Sequence, residues 1–378
     1  MSGPFSITIL LRERGRYIPA VFAVCFSSLL LTMQLGMLLG FLATTTRPID
    51  RVDADLWVAS DEPLAVGYSH PIPEAWAGRL ASHPGVDRVA PYVYGFTLWH
   101  KQDGGLEQCF LIGCRLDDGE VGSVRDMSPA LRGQLTKPGA ITIYSPDKGR
   151  LGLEEGVNEV AEIGDQRVQL AGVMYEGGKQ IGMMPGVYCS LRTARRLLPN
   201  LGPDQTMYLI ARCKNPADRE AIARQLREEY PDMTVMTREE FADLTRNYWM
   251  VKTNAGVILM FIAALGLVVG AVITGQTLYS ATVAAKREFA MLRALGVPQW
   301  PMAGLVVAQS FWVSVLGVGL AYPICLALTQ AALSQGIEAK LPPWLLMATG
   351  LFVVAVAVAA GATALRTLRA AEPELLLR

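Results

Sequence analysis

Chemistry needs particular side chains at particular spacings. The chain has three histidines, His70, His83 and His100, with no H-x-x-x-H or C-x-x-C pattern among them. A zinc site built from helical or knuckle spacing is therefore not expected. No G-x-x-x-x-G-K-[ST] loop occurs: Gly178-Lys179 is followed by Gln180, and Lys252-Thr253 has no glycine lead. This chain supplies no P-loop ATPase. There is no G-x-S-x-G nucleophile elbow, and no Asp, Glu, Lys or Arg falls in the middle of an apolar block, where a proton pump or intramembrane protease would need one. The segment that stands out offers contacts rather than catalysis. Lys286 to Trp300, KREFAMLRALGVPQW, is basic and amphipathic and directly follows a charge-free run from Thr253 to Ala285. On a helix, Val283, Phe289, Leu292 and Leu295 form one apolar stripe, with Arg287 and Glu288 elsewhere. Such a helix either lies on a membrane surface or docks in a groove of a partner. Gly296 stops it before Pro298 and Pro301.

The elements that position this segment are membrane spans. Of 378 residues, 51% are hydrophobic, and they are gathered into blocks, which argues for an integral membrane protein. Net charge is zero, so nucleic acid is not expected as a partner. Charge-poor blocks run over 17–46, 253–285, 294–337 and 341–365. Cutting the third at Tyr322-Pro323 leaves a remainder too short and too polar to cross, so it is read as one span that Pro323 kinks or ends. Arginines at 12, 14 and 16, then Lys286, Arg287 and Arg293, then Arg366, Arg369 and Arg378 mark the cytoplasmic side of four spans. Both termini are thus expected inside, and the long segment 46–248 outside. The first block is too long for a cleaved signal peptide and no A-x-A site follows it.

The fold class expected is an α-helical four-span membrane domain plus a mixed α+β extracytoplasmic domain inserted between spans 1 and 2. Its parts are a cytoplasmic lead (1–16), span 1 (17–45), the outer domain (46–248), span 2 (249–283), the cytoplasmic coupling loop (284–300), span 3 (301–328), a short outer loop (329–342), span 4 (343–365) and a cytoplasmic tail (366–378). In the outer domain ADLWVAS, AITIY, VNEVAEI, RVQLAGVMY and TMYLIARC read as strands, and a hairpin turns at Asp103–Gly105. Helices are expected over 73–82 and 216–230, the second with Asn215 as N-cap and Ala221, Ile222, Leu226 and Tyr230 on its apolar face. Thr237-x-x-Glu240 is a capping box, and with no proline as far as Val283, one continuous helix is expected from there through span 2. Gly36 and Gly40, Gly266 and Gly270 are small-xxx-small pairs that let helices approach, and Gln34 is expected to bond to a neighbouring helix. Cys25 and Cys325 fall in spans. Cys109, Cys114, Cys189 and Cys213 fall outside, where disulfides are permitted without a readable pairing. Cys109 and Cys114, five apart on one strand, face opposite sides.

The run Glu288, Ala290, Leu292, Arg293, Ala294, Leu295, Gly296 resembles the E-x-A-x-L-(R/K)-A-(L/I)-G pattern in the cytoplasmic loop of FtsX/MacB-type permeases of ABC transporters. Gln276–Ser280 (QTLYS), Met33–Gly36 (MQLG) and Ala54–Val58 (ADLWV) are similar to the DevC branch. The tail Arg366, Arg369, Ala371, Glu372, Pro373 resembles the family's terminal pattern. The likeness is weak between residues 60 and 230. It implies a non-catalytic permease subunit of an exporter of a lipid, glycolipid or other hydrophobic cargo. Arg287, Glu288, Phe289, Leu292, Arg293, Ala294, Leu295 and Gly296 would couple it to a separate ABC ATPase that holds ATP and magnesium, with no cofactor in this chain. It further implies a homodimer in a bacterial inner membrane, a stalk helix as rigid connector, and association with a membrane-fusion protein and an outer-membrane channel. Three alternatives stand beside it: an FtsX-like regulator of cell-wall hydrolases that moves no cargo, a membrane-anchored receptor or adhesion module without an ATPase, and an envelope enzyme with an unrecognised site.

Overall fold

The computed structural model describes residues 14–117, 121–122, 127–153, 160–174, 184–284, 299–334 and 339–370. Two compact units result, one formed by the chain up to Phe41 and from Ile258 onward, the other by Leu42–Val257.

The first unit is helical. Helix α1 spans Arg14–Asp50. Its last turns, from Leu42 on, belong to the second unit. Three further long helices follow the second unit. The four helices are long and apolar enough to cross a membrane, with stretches at Tyr17–Asp50, Asn254–Thr277, Val306–Leu333 and Pro343–Thr363.

The second unit is mixed. Its elements are β1 (Leu56–Ala59), β2 (Ile72–Pro73), α2 (Trp76–Ala81), β3 (Val86–His100), β4 (Leu106–Cys114), α3 (Pro129–Leu135), β5 (Ala140–Tyr144), α4 (Lys148–Leu151), β6 (Val160–Ile163), β7 (Gln166–Met174), β8 (Gly186–Ser190), α5 (Leu191–Leu197), β9 (Gln205–Thr206), β10 (Tyr208–Cys213), α6 (Arg219–Glu229), β11 (Thr234–Thr237) and α7 (Arg238–Asn247). Strand β3 is the shared spine. Its first half pairs with β10, which continues to β1 and β11. Its second half forms the hairpin with β4, from Val93↔Gly113 to His100↔Leu106, turning at Lys101–Gly105. The sheet runs on through β8, β5 and β7 to β6, which pairs back onto β3 at Trp99↔Ile163, so the six strands close on themselves. Closure leaves no open edge on that half of the unit.

Period-2 alternation builds two cores on either side of these strands. Trp99, Cys109, Leu111, Ile141, Ile143 and Val187 fill one, with the Trp99 indole N–H donating to the Leu151 carbonyl at 3.1 Å. Trp57, Tyr92, Tyr94, Ile112, Cys114 and Tyr208 belong to the other. Cys109 and Cys114 therefore lie on opposite faces of β4, as their spacing requires. All six cysteines are buried free thiols. A third cluster packs α6 on the sheet through Ile222, Ala223 and Leu226. Asn215 caps the preceding 3-10 turn by accepting from the Ala217 N–H. Ile222 and Leu226 are buried as expected, but the small residue beside them on the buried face is Ala223, and Ala221 is exposed.

One carboxylate sits badly in this unit. Asp147 is 4% exposed, and burial raises its pKa to about 6, outweighing the Gly186 N–H it accepts and the nearby Arg150. Glu107, bonded to Lys101 and Arg150, is shifted the other way. Because folding raises the Asp147 pKa from 3.8, the unfolded chain gives up that proton first. The stability it supports is complete below about pH 4 and is lost as pH rises through about 6. Asp147→Asn is expected to raise stability at pH 8 by about 3 kcal/mol and leave it unchanged at pH 3. Denaturant unfolding of both proteins at the two pH values checks this.

The remaining helices are α8 (Asn254–Ala284), α9 (Gln299–Ser334) and α10 (Pro343–Ala370). Small and β-branched residues of α1, α9 and α10 (Ala20, Val24, Val313, Val353, Ala357) form their shared core. Thr32 donates to Thr349 across it at 3.1 Å. Helix α9 continues through Pro323 to Ser334, so the proline does not end it. Gly270 of α8 lies against Ser27, and Gly36 of α1 against Lys340 and Leu341. Gln34 does face the neighbouring helix α8, but the bond expected there is missing at its oxygen. It fills the hollow over Gly266, yet its buried Oε1 accepts no hydrogen bond. Glycine offers the space but no donor.

Candidate functional site: the coupling segment and the helical connection to the outer domain

Helix α8 ends at Ala284 and α9 begins at Gln299. The coupling residues expected between them (Arg287, Glu288, Phe289, Leu292, Arg293, Ala294, Leu295 and Gly296) lie outside the described residues, as does the end of the tail from residue 371. What the structure does describe is the path from the outer unit toward that loop.

The path starts at α7. Thr237 caps it by accepting from the Glu240 N–H at 3.2 Å, and Glu240 returns the bond to the Thr237 N–H at 2.8 Å. This is the capping box read from the sequence. Arg227 of α6 binds the same carboxylate, which is held below the usual range by these partners despite burial. Arg238 ties the start of α7 to the end of α1: its N–H donates to the Asp55 carbonyl at 2.9 Å and its guanidinium to the Asp50 carbonyl at 2.6 Å. On the inner face Phe241, fully buried, meets Trp57 at 5.4 Å and Tyr208 at 5.5 Å between ring centres. Thr245 accepts the Val66 N–H at 3.2 Å. Helix α7 is thus fastened to the sheet along its length.

The single continuous helix expected from Thr237 to Val283 is not what forms. After α7 the chain widens into a π turn, Tyr248–Lys252, and Thr253 is extended at φ −101° and ψ 145°. The cause is a second cap. Thr253 Oγ1 donates to the Trp249 carbonyl at 2.6 Å and accepts the Gly256 N–H at 3.2 Å, so it closes one helix and opens the next. Gly256 makes the turn feasible, since a Cβ there would collide with the Trp249 carbonyl and stand 2.6 Å from Met250 Cα. The signal was present as Thr-Asn-Ala-Gly, but the absence of proline masked it. Tyr248 and Trp249 meanwhile stack on Tyr68, at 5.4 and 6.1 Å, and Tyr68 stacks on Phe96 at 5.3 Å.

No group of three or more potential metal ligands occurs among the described residues. Four helices long and apolar enough to cross a membrane, with a mixed α/β unit inserted in the chain after the first, are those of a multi-pass membrane protein. The family model for the MacB-like periplasmic core domain matches residues 20–229, more than half the chain, and that for the FtsX-like permease C-terminal region matches 260–373. The chain belongs to the FtsX/MacB family of ABC transporter permeases. An uncharacterized ABC transporter permease of Methanocaldococcus jannaschii is 25% identical over 193 residues, which is 47% of this chain and 45% of that protein. The chain therefore aligns with about half the length of that curated relative. Among solved structures, the extracellular domain of the noncanonic ABC-type transporter YknZ from Gram-positive bacteria is 16% identical at a TM-score of 0.33, covering 48% of this chain and 98% of that one. The periplasmic region of MacB from Actinobacillus actinomycetemcomitans is 11% identical at 0.33, covering 53% and 96%. The assignment rests on the two family models.

Proposed function

We propose that this chain is the membrane subunit of an ATP-driven exporter, in which a separate ATPase drives movement of the outer domain and expels a lipid, glycolipid or other hydrophobic cargo. The observation that carries the reading is the connection itself. Helix α7 is fastened to the outer sheet by Arg238, Phe241 and Thr245, and α8 starts directly from its terminal cap. In this reading the chain that leads out of α8 enters an element, α7, that is itself anchored to its own unit. The Lys286–Gly296 segment at the other end of α8 supplies the contact, with Phe289, Leu292 and Leu295 entering a groove of the ATPase and Arg287, Glu288 and Arg293 at its rim. ATP and magnesium belong to that partner. A two-state cycle follows, biased by how differently the ATPase holds the segment before and after nucleotide closure.

In this reading two copies of the chain form a homodimer above two ATPase subunits. Helix α8 suits a lipid- or copy-facing position, with Phe261 67% exposed and Val268 55%. The chain lies in a bacterial inner membrane with both termini cytoplasmic, and in a Gram-negative-type envelope it works with a membrane-fusion protein and an outer-membrane channel.

Gentle detergent extraction of the wild-type chain is expected to bring down an ATP-hydrolysing subunit. A Leu292→Asp, Arg293→Glu double variant, expressed to the same level, is expected to lose it. Retention of the ATPase by the variant would remove the coupling role from this segment. Absence of any ATPase from the wild type would favour a receptor or adhesion module. A cell-wall hydrolase in place of cargo would favour a regulator.

A further inference from the structure

We infer that the helical unit seats one water molecule between α1, α8 and α10, held by the hydroxyls of Ser27 and Thr274. The inference goes beyond the export reading and does not depend on it.

The face of α1 that meets α8 carries Ser27, Leu31 and Gln34, spaced four and three apart and so in line on one side of the helix. Gln34 covers Gly266, and Ser27 covers Gly270, where an added Cβ would stand 3.5 Å from the Ser27 Cβ. Glycine at both crossings lets the two backbones approach with no side chain of α8 between them. The consequence for Ser27 is a hydroxyl with nothing to bond. The residue is 2% exposed, and its Oγ has no hydrogen-bond partner among the described residues. Beside it lies a cavity of about 10 Å³. Thr274, one turn beyond Gly270 on α8 and 1% exposed, lines the same cavity. The other described side chains around it are hydrocarbon, Phe352 of α10 among them.

Size and chemistry select the ligand. A buried hydroxyl without a partner is costly, and more so inside a membrane than at a wet surface. About 10–15 Å³ is the least volume that admits a water, which also needs at least two polar partners; a wholly apolar cavity stays dry. This cavity has room for one water and for nothing larger, and two hydroxyls to hold it. The water donates to one hydroxyl oxygen and accepts from the other hydroxyl, so both side chains are satisfied. A cation finds no carboxylate among the described lining residues, and a lipid chain does not fit. Such a bridge joins α1 to α8 through an exchangeable partner. A direct hydroxyl–hydroxyl bond would fix one register of the two helices, whereas the water keeps both groups bonded as α8 shifts along α1.

The test uses the full chain in nanodiscs of phosphatidylcholine. Millisecond X-ray exposure converts water to hydroxyl radicals, which oxidise side chains within reach, and mass spectrometry maps the products. Phe352 is the reporter. Phe26, next to Ser27 in the chain, 54% exposed and not part of the lining, is the control at the same depth. Phe352 is expected to be oxidised at least about fivefold more than Phe26, because hydrocarbon holds no water. Ser27→Ala, Thr274→Val removes both hydroxyls with little change of shape and should bring Phe352 down to the level of Phe26, while Thr274→Ser should keep it oxidised. After mixing into heavy-oxygen water, the Phe352 product should take up the isotope later than that of Tyr68, which is exposed in the outer unit. Phe352 as inert as Phe26, oxidation unchanged in the double variant, or isotope uptake as fast as at Tyr68 would overturn the site. The first would mean that the Ser27 hydroxyl turns back to its own helix, the last that an open crevice reaches Phe352. If the double variant fails to fold, the Phe352–Phe26 comparison and the isotope delay on the wild type still decide.

Discussion

Replacing Phe241 by alanine is expected to detach α7 from the outer sheet. The side chain is fully buried and meets Trp57 and Tyr208, themselves among the largest fully buried side chains of the unit. Truncation removes the ring's own burial and leaves a cavity between two aromatic groups that cannot collapse into it. Losses of this kind run at about 3–5 kcal/mol. The caps at Thr237 and Thr253 and the Arg238 contacts remain, so the helix itself persists while its anchorage weakens. Amide exchange over 241–247 is the direct readout. At about 1.4 kcal/mol per factor of ten, opening should rise by on the order of a hundredfold or more, while exchange in β5 and β7, far along the sheet, stays near wild type. Uniform acceleration across the unit would mean that α7 and the sheet unfold as one body. No acceleration would mean that Phe241 is not the anchor.

Gly256→Ala is the second large effect. The added methyl meets backbone, the Trp249 carbonyl and the Met250 Cα, so no side-chain rotation relieves it. Either the π turn unwinds or Thr253 leaves its extended conformation. Alanine also favours helix over glycine by about 1 kcal/mol, which pushes toward straightening. The variant is expected to join α7 and α8 into one helix. Spin labels at the exposed positions Asp243 and Val257 would then be about 21 Å apart along the backbone axis, from about 1.5 Å rise per residue, and the wild type should give a different distance. An unchanged distribution would mean that the turn absorbs the methyl by moving locally. In the proposed cycle the cap is a defined break in the connecting path, so the same variant asks whether export needs that break.

The sequence by itself determined the parts whose cause is local. Four blocks without charge can only be helices in a bilayer, because a strand or loop there would leave backbone groups unsatisfied. The hairpin at Asp103–Gly105, the Thr237–Glu240 box and the Asn215 cap depend on neighbours within a few residues, and each formed where the residues stand. The opposite facing of Cys109 and Cys114 is fixed by the strand period alone. The coupling role proposed for Lys286–Gly296 is legible only as a pattern resembling a family's loop.

Other features needed the tertiary structure. β3 is read as one strand in sequence, yet its halves serve different sheets, and the return of β6 to Trp99 joins residues far apart in the chain. Nothing near Trp99 encodes that partner. Gln34 was expected to find a hydrogen bond, but which residue faces it depends on how α1 and α8 pack, and a glycine faces it. The break at Thr253 had a local cap signal, but Thr253 could equally have sat within a helix. What decided it was the fastening of α7 to the sheet, which fixes where the chain leaves the outer unit, and the bare Cα of Gly256 that lets the backbone pass. The hollow lined by Arg47, Arg51, Tyr94 and Phe110 is the clearest case. Arg47 and Arg51 read as ordinary charges after a span until the fold sets Tyr94, Phe96 and Phe110, from a distant hairpin, across from them. Local propensity chooses each element; only the closing of the sheet chooses which side chains meet.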